Sequence, residues 1–432
     1  MNIEHSSRNI TPYAGLYFIS DALNKLNISS FINSNLPKRS PNAKYKYSDI
    51  VLSLFANCMV QGERLSDLSI VKKKFSTKQG FKIPSADTVE YACQELKPLF
   101  CNETILNNKG QVIEHQHCFQ PKMNSLLAAT GLKTGLLKKG NQGYTLDFDH
   151  LVSPNEKQDA KMTYKQVKGY HPCLAFIGRL PVYIENHNGN SPARFNQKDS
   201  LQRCFGNISS QGLKIERFRG DSASCQLEVI EVVEAGARYF YIRMLSFGAI
   251  RESYSQIPEN EWKKIKIGVQ NVEVASINYS FKNSDKIYRL VVSRHLKEDH
   301  QMDIETGTAY TFQAIITNEF KESEQQVIEF YNQRGDAENS NRFMLNDFNM
   351  NNLPFMDMTT NTVYMYLTGL IAILFEYAKQ LLINNKVEGI QACMRVKAIC
   401  FHYIHVAGEW VKKKGQEILK IFSTKIYKPL QV

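Results

Sequence analysis

Three acidic side chains, Asp149, Asp221 and Glu338, fall where carboxylates from separate parts of a chain can converge. Asp149 closes the run "GYTLDFDH", which alternates with Tyr144, Leu146 and Phe148 on one strand face and Thr145, Asp147 and Asp149 on the other. Asp221 closes a second strand pattern, "KIERFRGD". Glu338 lies in "YNQRGDAENSNR", where Tyr331, Arg334 and Glu338 recur at steps of three and four, the spacing of one helix face. Carboxylates at the ends of neighbouring strands can meet, and a helix packed across that sheet edge adds a third. Like charges held so close either acquire raised pKa values or are neutralised by divalent cations. Hard oxygen donors suit Mg²⁺ or Mn²⁺. Two such ions, about 3.5–4 Å apart, would clamp the attacking and leaving oxygens of a phosphodiester. Arg334 could grip a phosphate through two parallel N–H bonds, and Tyr331 could stack or donate a hydrogen bond. The competing reading treats the acids as solvated members of a set of 42 and Tyr331 as a core residue with Arg334 beside it.

The elements that must position these residues follow from hydrophobic periodicity. Residues 1–140 are expected to be helical and basic. "YSDIVLSLFANCMV" has helical apolar spacing, and "PSADTVEYACQEL" begins with a capping Ser85 and repeats Val89, Ala92, Cys93 and Leu96 at i, i+3, i+4, i+7. With the basic "SIVKKKFSTKQG" between them, these helices fit a DNA-contacting helix-turn-helix or a plain small bundle. Residues 141–245 change period: "GYTLDFDH", "PCLAFIG", "LPVYIEN", "KIERFRGD" and "RYFYIRML" read as strands. Helices are expected near 197–208 and over "SASCQLEVIEVVEAG", which stops at Gly236. That order is an α/β core with strands of mixed direction. Residues 246–318 read as a β-rich insertion, 319–350 as the helix that completes the core, and 351–432 as a helical C-terminal region.

Composition narrows the function class. The 432 residues are 43% hydrophobic and 22% charged, enough to bury more than one core. A formal net charge of +11 favours a polyanionic partner, nucleic acid foremost. No secretory signal is legible at the N-terminus, and the apolar run "TVYMYLTGLIAILF" is too short for a bilayer span, so a core helix and no membrane partner are expected. Nine cysteines without a CxxC pair suit reduced thiols in a cytoplasmic protein. "HQHC" at 115–118 has a metal-ligand look but no second half in sequence, and reads as structural.

The run "YNQRGDAEN" resembles the Tyr-x-x-Arg-x-x-x-Glu motif of DDE transposases from bacterial insertion sequences. "TLDFD", "YHPC" and "RFRGDSA" are similar to that family's first catalytic strand, the segment after it and its second strand. The resemblance covers nearly the whole chain. It implies a ribonuclease-H-like mixed-sheet core with a β-rich insertion, a helical N-terminal domain and a helical C-terminal tail, as in the cut-and-paste branch. It implies Asp149, Asp221 and Glu338 as the metal-binding catalytic triad, with Asp147 as the alternative to Asp149 because both share a strand face. His150 and Leu151 follow Asp149 where the family often has Ser or Thr. Tyr331 and Arg334 would contact phosphates at the cleaved end, and Arg342 is the nearest cation to the position of the family's lysine. Trp262 would be the candidate for stacking on a flipped base, against its reading as a hydrophobic plug. The implied activity is cutting and joining of DNA with two Mg²⁺ or Mn²⁺ ions. Its partners would be terminal inverted repeats and target DNA, bound by a homodimer in the bacterial cytoplasm at the nucleoid. A structure-specific nuclease of the same fold and an inactive DNA-binding relative are the alternatives.

Overall fold

A computed structural model describes residues 3, 8–75, 82–107, 113–140, 143–245, 248–296, 302 and 309–432. After β1 (Ile10–Thr11) come α1 (Gly15–Lys25), α2 (Ile28–Asn35), α3 (Tyr47–Met59), α4 (Leu68–Lys74) and α5 (Ala86–Leu96). Ser85 caps α5 by accepting a hydrogen bond from Thr88 N at 3.4 Å, and Val89, Ala92, Cys93 and Leu96 are its buried stripe. Part of "SIVKKKFSTKQG", including Gly80, lies outside the described residues.

The N-terminal part is not helical to its end. β2 (Cys101–Asn107) and β3 (Ile113–Phe119) pair antiparallel before α6 (Pro121–Lys133). Their sequences, "CNETILN" and "IEHQHCF", carry β-branched residues, and β3 buries His115 and His117 in alternation.

The core follows as β4 (Gly143–His150), then the short β5 (Ser153–Pro154), β6 (Lys161–Met162) and β7 (Lys168–Tyr170), which form a small sheet of their own. Next come β8 (Cys173–Ile177), β9 (Leu180–His187), α7 (Gln197–Ser210), β10 (Lys214–Gly220), α8 (Leu227–Gly236) and β11 (Ala237–Arg243). The insertion contains α9 (Gly248–Ser255), β12 (Lys263–Ile267), β13 (Gln270–Tyr279), β14 (Tyr288–Leu296) and β15 (Tyr310–Thr317). One mixed sheet runs β12-β13-β14-β15-β11-β10-β4-β8-β9-β3-β2. β10 lies parallel to both β4 and β11, whereas β8 and β9 return antiparallel. The insertion therefore extends the core sheet through the β11–β15 pairing. β8 and β9 are buried along their whole lengths, because helices cover both faces.

Two further corrections concern helices. The segment expected as one late helix is two: α10 (Glu324–Asn332) stops, and α11 (Gly335–Arg342) begins after Arg334. Gly335, a poor helix former, sits at the break, so Tyr331 and Glu338 belong to different helices. α12 (Met358–Asn384) is the predicted core helix; it is long and apolar enough to cross a membrane, but 83% of its most apolar window is buried inside the protein. α13 (Val396–Ile399) is short, and the tail then forms a hairpin, β16 (Ala407–Lys413) with β17 (Gln416–Phe422), rather than a helix. Lys414 and Gly415 both have positive φ (51° and 81°), the two-residue turn that joins tightly paired strands. A lysine-rich run hides that turn, since Lys is among the better helix formers by propensity.

Candidate functional site

β4 presents Asp147 and Asp149 on one face, and the chain treats them differently. Asp147 is 3% exposed and locked by Arg219 of β10, which faces it across the parallel pair. Arg219 Nε donates to Oδ1 at 2.6 Å and Nη2 to Oδ2 at 2.8 Å, while Nη1 donates to Phe330 O at 2.8 Å. Such a fork neutralises a buried carboxylate with both oxygens engaged.

Asp149 sits two residues on, at the strand end. Its Oδ2 accepts from Asn341 Nδ2 of α11 at 2.9 Å, and its Oδ1 pairs with Arg334 Nη2 at 2.8 Å. The same guanidinium reaches Glu338 Oε1 through Nη1 at 3.5 Å. Asp221 lies past the end of β10, where Oδ1 accepts from Ala223 N at 3.0 Å and caps the turn Ser222–Ser224. Burial pushes the Asp149 carboxyl up to about 6. Arg334 pulls it down in part, and the charges of Asp221 and Glu338 push it up again. All three carboxylates thus share one electrostatic field, with a guanidinium between two of them.

The triad is not closed. Two groups of His, Cys and acidic side chains among the described residues hold their ligand atoms within 4.8 Å of one another, and Asp149, Asp221 and Glu338 are in neither. Glu338, 63% exposed at its side chain, is the most open of the three and touches Arg334 alone among the contacts seen at the described residues. The three acids offer carboxylate oxygens, and a cation, Arg334, already bridges two of them, so this donor set fits a hard divalent ion.

Tyr331 is a core residue, 7% exposed, packed with Tyr241, Val327 and Ile328; its hydroxyl donates to Gly220 O at 3.3 Å. It ties α10 to the strand end that carries Asp221. Arg334 is 8% exposed, and its Nε is a buried donor without a hydrogen-bond partner. Arg342 is exposed on the last turn of α11. Trp262 stands apart from this cluster: Arg294 lies over its ring at 4.2 Å and over Tyr310 at 4.2 Å, and Trp262 Nε1 donates to Ile257 O at 3.4 Å. Stacking on a base there would require Arg294 to leave.

Sequence reasoning missed Asn341 and Arg219. Both had a usable signal: Asn341 follows Glu338 by three, the next place on that helix face, and Arg219 precedes Asp221 by two, on the same strand face.

Among known protein families, the transposase DDE domain group 1 matches residues 1–431. No curated protein matches the sequence. A similar solved structure is that of piggyBac transposase in a synaptic complex with hairpin DNA. The likeness has a TM-score of 0.42 and 9% identity, and covers 90% of this chain and 78% of that chain.

Proposed function

This chain belongs to the transposase DDE domain family, and from that premise we propose that it is an insertion-sequence transposase whose cutting and joining site is built on Asp149, Asp221 and Glu338. What supports the reading is the half-buried Asp149 at the end of β4, whose two oxygens meet Asn341 and Arg334, with Glu338 on the same guanidinium and Asp221 past the end of the neighbouring parallel strand. The order β9-β8-β4-β10-β11, with the last three parallel, supports a ribonuclease-H-like core.

Asp149, Asp221 and Glu338 would hold two Mg²⁺ or Mn²⁺ ions, and Asp147 stays with Arg219 as structural support. Bound there, such ions would polarise the attacking oxygen and neutralise charge on the phosphate being displaced. The rest is done by side chains. Asn341 orients Asp149 through its second oxygen. Arg334, released from Asp149 and Glu338, turns its forked donors, including the unpartnered Nε, to a phosphate oxygen. Tyr331 holds Gly220, and through it the backbone that aims Asp221. Arg342 and the exposed lysines of β16 and β17 hold the DNA backbone. Substrates are the element's terminal inverted repeats and target DNA, engaged by a homodimer formed on DNA in the cytoplasm, at the nucleoid.

The test supplies duplex DNA bearing the element's ends with Mg²⁺ and compares the native chain with Asp221→Asn. Cleavage with joined products, absent in the variant, is expected. Cleavage without joining would make the chain a structure-specific nuclease; binding without either would make it an inactive DNA-binding relative.

A further inference from the structure

On the sheet face opposite Asp149, strand alternation collects a second set of chemistry-bearing side chains. His150 faces Cys173 across β4 and β8, Cys173 faces Glu185 across β8 and β9, and His187 faces His117 across β9 and β3. Cys173, Glu185, His187 and His117 are all 0% exposed. The ligand atoms of His150, Cys173 and His187 lie within 4.8 Å of one another, with Cys173 Sγ 3.9 Å from His187 Nε2.

This cluster is under-satisfied as it stands. Neither ring nitrogen of His150 has a hydrogen-bond partner, and the same holds for Nδ1 of His187, while His117 Nδ1 lies 3.6 Å from Glu185 Oε1. Buried polar atoms rarely remain so. Glu185, by contrast, is full. It accepts from Arg203 Nη2 at 2.8 Å and Nε at 3.1 Å, Ser200 Oγ at 2.9 Å, Tyr183 Oη at 2.5 Å and His187 Nε2 at 2.9 Å. Its charge is matched by Arg203, and a metal held by His187 Nε2 would take the place of that nitrogen's bond to Glu185.

We propose that His150, Cys173 and His187 form a buried site for a borderline-soft divalent metal, Zn²⁺ by preference, that pins β4, β8 and β9 behind the strand end carrying Asp149. One thiolate and two neutral imidazoles are the donors Zn²⁺ selects over Mg²⁺, and three protein ligands leave one corner for water. A bound metal would hold the buried Cys173 as the thiolate. On binding, Cys173 gives up its thiol proton to solvent as the S–metal bond forms. His117, from the "HQHC" run, stacks on His187 with ring centroids 3.7 Å apart and bonds Ser191 Oγ at 2.8 Å, fixing the ligand's orientation.

The full chain, purified without a histidine tag under reducing conditions, is measured for metal by mass spectrometry. About one equivalent of zinc is expected, the stoichiometry of one such site; Asp221→Asn retains it, whereas Cys173→Ser and His187→Asn lose it. Reloading the stripped native chain with Co²⁺ should give a thiolate-to-cobalt charge-transfer band, absent in Cys173→Ser. If those variants do not fold, the native chain decides alone. Folded native protein that neither carries zinc nor shows the cobalt–thiolate band after reloading overturns the proposal, whatever its activity on DNA.

Discussion

Asp149 and Asp147 differ by two positions on one strand, yet their surroundings give them different chemistry. Asp147 is compensated by a forked guanidinium, whereas removal from water, with the charges of Asp221 and Glu338 added, outweighs Arg334 at Asp149 and pushes its carboxyl from 3.8 to about 6. A carboxyl raised on folding favours the protonated native state. Its contribution is therefore present below the ordinary pKa and is lost as pH rises through about 6. In the absence of divalent ions, stability to urea should fall by up to about 3 kcal/mol between pH 4 and pH 7, and Asp149→Asn should flatten that part of the profile. An unchanged slope in the variant would disprove the assignment. Asp149→Asn, Asp221→Asn and Glu338→Gln should each reduce cleavage by at least about a hundredfold, the scale on which even outer partners of metal ligands act. DNA retention in a gel shift should change little. Arg334→Gln removes the cation that competes for Asp149 and Glu338. Mn²⁺ should then raise the melting temperature of the DNA-free variant at lower concentration than in the native chain, while strand cleavage falls.

At the scale of elements, the site depends on how α10, α11 and α12 are seated. α12 packs a glycine against the sheet: a Cβ at Gly369 would come within 2.9 Å of Ile184 Cδ1 and of Leu127 Cδ2. Gly369→Val should lower stability by about 1–3 kcal/mol through overpacking. Gly369→Ala should fall within about 1 kcal/mol of the native chain, because better helix propensity offsets the milder crowding. Thermal melts distinguish the two. The break between α10 and α11 assigns Tyr331 to the core and leaves Arg334 and Glu338 at the mouth, so a three-and-four spacing read as one helix face becomes two adjoining roles. The same periodicity could not reveal a turn at Arg334, since a single Gly in a helical run is often tolerated.

Across the whole molecule, the net charge of +11 should express itself as salt-sensitive DNA binding. The β16–β17 hairpin displays Lys412, Lys413 and Lys414 on exposed positions. Replacing all three by Gln should make the plot of log affinity against log salt shallower by about 0.9 for each phosphate left without its cation. An unaltered slope would remove the hairpin from the DNA surface.

Local pattern was sufficient for the strands of the core, the capped α5 and the buried α12, because alternation and helical spacing are properties of neighbouring residues. The different surroundings of Asp147 and Asp149 were not legible, since both share a strand face and their partners, Arg219 for one and Arg334 with Asn341 for the other, come from distant parts of the chain. The β2–β3 and β16–β17 hairpins were equally hidden, because pairing partners, not propensity, decide short polar strands. Nor could spacing disclose that His117, His150, Cys173 and His187 meet, for they stand on four strands whose register exists only once the sheet has formed.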